Sequence, residues 1–169
     1  MSDPTKYLVR AADRTPADEL HVRHPFNPAS EIHMTRLGDR TGLTRIGISI
    51  ARVPAGKESF ILHAHTLEEE WVYVLSGSGH VQLGDDELPI GPGDFVGFPP
   101  DGTPHVIRNR SDAELVYLQG GERRPGDRGI FPTIGKIGFP HDDTQMTLVD
   151  MDALQLLPFS AWTEEREQR

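Results

Sequence analysis

Between Leu43 and Gly120 apolar and polar residues alternate with a period of two, in runs too short for helices. Ile46, Ile48 and Ile50 alternate with Gly47, Ser49 and Ala51, which predicts a half-buried strand. Residues 60–65 predict a second strand. Residues 70–75, Glu-Trp-Val-Tyr-Val-Leu, predict a third, the most β-prone of the chain because β-branched and aromatic side chains fill it. Further strands are expected over 80–83, 88–90, 95–98, 104–109 and 114–119. Ser76-Gly77-Ser78-Gly79, Gly84-Asp85-Asp86-Glu87 and Gly91-Pro92-Gly93-Asp94 are the turns between them. Turn signals recur every 6 to 12 residues, a rhythm that favours an antiparallel sandwich or barrel.

The pattern weakens on both sides. Residues 1–42 read as an irregular N-terminal extension lying on the core or on a second subunit. A short helix is expected over 11–20, with Thr15 as cap before Pro16. His21, His24 and His33 stand here without a close second ligand and read as surface or packing histidines. Residues 43–120 form the expected barrel core, and 121–169 a C-terminal extension. Within the latter, 122–128 is a polar turn, 130–136 is extended, and 146–157 is a strand running into a helical turn. Trp162 is expected to anchor the charged tail by packing.

Composition narrows the function. With 169 residues the chain suits one domain with a real core. The formal net charge of −9 argues against nucleic acid, whose phosphates need a clustered basic face. No cysteine is present, so disulfides, thiolate ligands and thiol nucleophiles are excluded. No stretch resembles a signal-peptide core or a membrane span, so a cytoplasmic protein without a membrane partner is expected.

The chemistry concentrates in two stretches. His63 and His65 are two apart, so on one strand both imidazoles share a face. Glu70 opens the next strand, where an antiparallel neighbour can return its carboxylate to that face. His105 begins a later strand and can complete the cluster. Three imidazoles and a carboxylate suit one divalent transition metal, Fe, Mn, Ni, Co or Zn, and leave room for water or substrate.

Gly56, His63, His65, Glu70 and Gly77 resemble the first motif of the cupin superfamily, and Gly93, Pro100, Gly102, His105 and Asn109 resemble its second. The steps from Gly56 to His63 and from Gly93 to Pro100 are each one residue longer than that pattern, which a bulge or turn absorbs. A looser likeness, in Leu37-Gly-Asp, 42–47, 120–127 and 131–136, is to a group of small bacterial single-domain cupins, mostly uncharacterised. The resemblance implies an all-β fold, a double-stranded β-helix (jelly-roll) barrel with irregular N- and C-terminal extensions. It implies metal ligation by His63, His65, Glu70 and His105. It makes Gly77, Gly93 and Gly102 turn glycines, and gives Asn109 a structural role tying a turn.

Strand parity adds Ser59, Ile61, Val72, Val74 and Ile107 to the cavity side, and turns Tyr73, His80 and Gln82 outward. Tyr117 and Gln119 are candidates for the rim or cavity. Glu68 and Glu69 read as solvated loop carboxylates. Arg45, Arg52 and Arg108 read as surface arginines that could meet an anionic substrate. The expected function is that of a metal-binding cupin enzyme on a small oxygen-rich molecule, a dioxygenase or a sugar-type isomerase or epimerase. The alternative is a non-catalytic binder or sensor of a small ligand. No catalytic residue is assigned. Exposed apolar strand residues such as Trp71 and Tyr73 suggest a homodimer.

Overall fold

A computed structural model describes residues 3–142 and 145–159. The strands are β1 (Leu20–Val22), β2 (Ile32–Arg36), β3 (Ile46–Val53), β4 (Ala64–His65), β5 (Glu70–Ser76), β6 (Gly79–Leu83), β7 (Asp86–Ile90), β8 (Phe95–Phe98), β9 (His105–Arg108), β10 (Leu115–Glu122), β11 (Gly129–Phe131), β12 (Lys136–Pro140) and β13 (Met146–Asp150). One short helix, α1 (Leu37–Arg40), and several single 3₁₀ turns complete the described secondary structure. The molecule is therefore mostly β, as the alternation predicts. The helix expected over 11–20 is replaced by two 3₁₀ turns, Ala11–Asp13 and Pro16–Asp18. Thr15 does sit at the cap position of the second, where its amide and hydroxyl both donate to the Asp18 carboxylate.

The strands make three antiparallel ladders, in the orders β1-β2-β3-β10-β5-β8, β13-β12-β11-β4 and β7-β6-β9. Among the described residues these ladders stay separate rather than closing into one continuous barrel. Their inner faces pack Val53, Val72, Val74, Val81, Leu115 and Tyr117 into one core.

Both extensions prove more regular than their sequences suggest. β1 and β2 extend the six-stranded sheet, with β2 pairing β3 from His33 against Arg52 to Arg36 against Ser49. β11, β12 and β13 supply three strands of the four-stranded sheet, and β11 pairs with β4 beside His65. Neither extension offers a long apolar alternation. Each becomes strand because a neighbour satisfies its backbone groups, which is tertiary context. Trp162 lies outside the described residues.

β3 is half-buried, as its alternation predicts. Its buried face is Ser49, Ala51 and Val53, while Ile46 is 41% exposed and Ile48 and Ile50 are half-buried outside. Small inward side chains leave volume inside the sheets, where isoleucines would fill it. Residues 60–63 are bends with an isolated bridge, and only Ala64–His65 forms a ladder. Here the chain passes from one partner, β9, to another, β11. Gly77 has φ +80°, and a Cβ there would lie 2.3 Å from the Glu114 carbonyl oxygen, so glycine alone fits this turn. Asn109 is 1% exposed and ties its turn as expected: its amide donates to the Val53 and Ala113 carbonyls at 2.8 and 2.7 Å.

Candidate metal centre

Two chain segments meet at His63 and His105. The His63 amide donates to the His105 carbonyl at 3.1 Å, and the His105 amide returns the bond at 2.7 Å. This closed pair sets the two rings beside each other, centroids 4.5 Å apart. His65, two residues on, reaches the same space. Glu70, at the head of β5, points its Oε2 at all three rings. His105 Nε2 lies 3.2 Å from that oxygen, His65 Nε2 3.3 Å and His63 Nε2 3.7 Å. The four residues singled out in the sequence thus converge on one carboxylate oxygen.

Each ring is held from behind. His63 Nδ1 faces the Ile61 carbonyl at 2.9 Å, and His65 Nδ1 faces Asp127 Oδ2 at 2.6 Å. The Phe98 ring stacks on His105 with centroids 3.9 Å apart and planes 9° from parallel. These contacts turn the Nε2 atoms inward, as supporting shells of metal sites do. Asp127 is nearly buried, and its Oδ1 also accepts the amides of Thr66 and Leu67 at 2.9 and 2.8 Å. Sequence reasoning passed over Asp127, which lies 62 residues from His65 in a turn with no local signal beyond Pro-Gly.

His63, Glu70 and His105 present ligand atoms all within 4.8 Å of one another; His65, Glu68 and Asp127 form a second such group alongside. His65 joins the two, through Nε2 to Glu70 and Nδ1 to Asp127. Neutral imidazoles and a carboxylate at this spacing fit a divalent transition ion.

The electrostatics report the same convergence. Burial works against the charge of Glu70, but contacts with His105, His63 and His65 hold its pKa well below the usual carboxylate range. Burial also opposes protonation of His65, and the carboxylates of Glu70 and Asp127 overcome it, raising that imidazole to about 9. Burial keeps His105 below its ordinary value. Burial raises Glu68, helped by the neighbouring Asp127 and Glu70 charges. Glu68 is therefore no freely solvated loop carboxylate: its side chain is 19% exposed, faces the cavity, and accepts the Arg124 amide at 2.6 Å.

The cluster lines a cavity of about 680 Å³. Val72, Ile107 and Ser59 line it as parity predicts, whereas Ile61 and Val74 are buried and contribute packing rather than cavity wall. Tyr117 and Gln119 also face it, and burial raises the Tyr117 phenol above its ordinary value. Aromatic wall comes from Phe60, Phe98 and Phe131. His24 packs edge-on to Phe60 with centroids 4.6 Å apart, and burial lowers its pKa. The arginines singled out in the sequence do not line this cavity. Arg52 is held by Glu19 and Glu114, and Arg108 by Glu58 and Glu87. Arg123 and Arg124 stand at the cavity instead.

A cupin-domain family model matches residues 49–119. A sugar phosphate isomerase of Silicibacter pomeroyi, itself described as a cupin, superimposes with a TM-score of 0.71 at 27% identity, over 82% of this chain and 89% of that one. The chain belongs to the cupin superfamily. A provisionally named sugar phosphate isomerase of Acidithiobacillus ferrooxidans is 37% identical, with a TM-score of 0.85 over 92% of this chain and 99% of that one. An oxalate-binding protein of Thermotoga maritima is 29% identical over 70% of this chain and 95% of its own length. The chain spans 53% of an uncharacterised Methanocaldococcus jannaschii protein that is 37% identical over 68 residues, and 25% of a Chromobacterium violaceum sulfate adenylyltransferase subunit that is 27% identical over 121. Among the described residues no helix is long and apolar enough to cross a membrane.

Proposed function

We propose that this cupin is a metal-dependent enzyme that isomerises or epimerises a small, oxygen-rich, sugar-like molecule. The observation that carries the reading is the convergence of three imidazole Nε2 atoms on Glu70 Oε2 in the wall of a cavity that also holds a phenol and a carboxyl of raised pKa. An aliphatic cavity around the cluster would suit a binder; acid–base groups beside it suit a catalyst. The names of the two superimposed isomerases support the sugar-like class.

In this reading His63, His65, Glu70 and His105 hold one divalent ion of Fe, Mn, Ni, Co or Zn. Such an ion supplies Lewis acidity toward a carbonyl or hydroxyl oxygen of the substrate. Glu68 holds or takes the proton that moves between neighbouring carbons. Burial and the neighbouring carboxylates raise its pKa above the ordinary carboxylate range, the direction that suits a proton carrier. Tyr117 and Ser59 orient substrate hydroxyls, and Phe60, Phe98 and Phe131 exclude water. The surrounding scaffold completes the reading: a cytoplasmic jelly-roll core over 43–120, extended by 1–42 and 121–169, without nucleic-acid or membrane partners. A homodimer forms through the outer face of the six-stranded sheet. There Ile50, Leu118, Tyr73 and Phe95 stand in one cross-strand row, and Phe95 is 64% exposed. Light scattering at micromolar concentration is expected to give twice the chain mass.

Incubation of the metal-loaded protein with a panel of aldoses, ketoses and their phosphates in D₂O tests the chemistry. An isomerase introduces deuterium beside the carbonyl carbon, read by NMR. Oxygen uptake without deuterium incorporation points to the dioxygenase class instead. Tyr117→Phe is expected to lower kcat about tenfold or more while metal content stays unchanged. The second reading is a non-catalytic binder of a small acid, favoured by the likeness to the oxalate-binding protein. Tight binding of oxalate with no turnover of any sugar would establish it.

A further inference from the structure

The strand pair at the edge of the six-stranded sheet gathers metal-ligating side chains a second time. In β1 and β2, Leu20 lies opposite Met34, His21 opposite His33 and Val22 opposite Ile32. Val22, Ile32 and Met34 line the cavity, so alternation leaves His21 and His33 together on the other face. Their rings stack with centroids 4.4 Å apart and planes 5° from parallel. Glu31 stands beside them. Its Oε1 is 3.3 Å from His21 Nε2 and 3.8 Å from His33 Nε2. Its other oxygen faces Arg23 at 3.0 Å and Lys57 at 3.5 Å.

We propose that His21, Glu31 and His33 form a second, solvent-open site for a borderline divalent ion such as Zn(II). Metal–ligand bonds of about 2.1 Å place neighbouring donor atoms about 3.0–3.5 Å apart. The distances from Glu31 Oε1 to the two rings are close to that range, and the stacked rings tilt apart on binding so that both Nε2 lone pairs meet one ion. Two imidazoles and one carboxylate select Zn, Ni, Cu or Co over Ca or Mg. Arg23 and Lys57 fix the carboxylate so that Oε1 alone is presented to the rings. Arg52, opposite His33 on β3, is committed to Glu19 and Glu114. With the His21 side chain 45% exposed, the remaining coordination positions open to water.

The consequence lies on the far side of the sheet. β1 is an edge strand paired over three residues, and its Val22 is cavity wall. An ion bridging His21 and His33 clips that strand to β2. The cations around Glu31 weaken the ion's hold, so this site fills after the central cluster and at higher free metal. It stands independently of the catalytic reading above.

Calorimetric titration of the full chain with Zn(II) tests the site, read together with the histidine ring ¹⁵N resonances. The expected result is two zinc ions per chain for the unaltered protein and one for the His21→Ala/His33→Ala variant, with the tighter binding step unchanged. The reciprocal variant His63→Ala/His105→Ala keeps the weaker step, with a micromolar Kd. In the unaltered protein the His21 and His33 resonances shift on the second equivalent of zinc, which needs no variant to fold. Equal zinc stoichiometry in the unaltered protein and His21→Ala/His33→Ala overturns the proposal. So does a Kd above about 100 µM at these residues, which marks an adventitious ion only.

Discussion

Two clusters in this cupin set histidines around one glutamate oxygen, and they differ in everything behind that shared first layer. At the centre, three rings face Glu70 Oε2, and each is backed by the Ile61 carbonyl, Asp127 or Phe98. At the sheet edge, two rings face Glu31 Oε1, and the glutamate is shared with Arg23 and Lys57. The central rings are the less exposed, whereas at the edge the His21 ring is open and the His33 ring half-buried. Convergent donors are thus easily built wherever strands pair histidines across a ladder. Strength depends on the groups that hold the rings and on the charge left over at the site.

The largest test of this contrast removes the central donors. His63→Ala/His105→Ala is expected to abolish metal retention at the centre, measured by elemental analysis of protein purified without chelators or immobilised metal. Full occupancy in that variant would refute the ligand assignment. Next in size is the supporting shell. Asp127→Asn keeps the shape but loses the charge behind His65, and is expected to weaken metal binding about 10- to 100-fold. If the substitution leaves affinity unchanged, the backing shell does not explain the contrast.

The pH dependence is subtler. In the metal-free fold the carboxylates of Glu70 and Asp127 raise His65 to about 9. Its unfolded value is about 6.5, so this contribution to stability is full below about pH 6.5 and is lost as pH rises through the folded value. A metal ion competes for the same nitrogen. Affinity should therefore climb as pH rises toward 9, and binding at pH 7.5 should release about one proton from His65. Calorimetry in two buffers of different ionisation enthalpy reads that proton.

His63, His65 and Glu70 were legible in the sequence because their relation is local, whereas His105, 35 residues beyond Glu70, was singled out through the resemblance to the cupin motifs. His-x-His on extended chain forces two rings to one side, and turn glycines mark where the strands end. Asp127 was not legible, since the contact that matters spans 62 residues and depends on β11 lying against β4. His21 and His33 are 12 residues apart and read as separate surface residues until β1 and β2 pair. The buried face of β3 was not legible for a related reason. Alternation gives the period of a strand but not which side meets the core, and here a cavity needs the small residues inward.

The sequence by itself determined the strand rhythm and the turn positions, because these rest on steric rules acting within a few residues, and its motif resemblance singled out the candidate ligands. Tertiary structure alone decided which extensions become strands, which face of β3 turns inward, and which carboxylate stands behind His65. Those outcomes depend on hydrogen-bond partners and space supplied by distant segments, and no short stretch of chain carries that information.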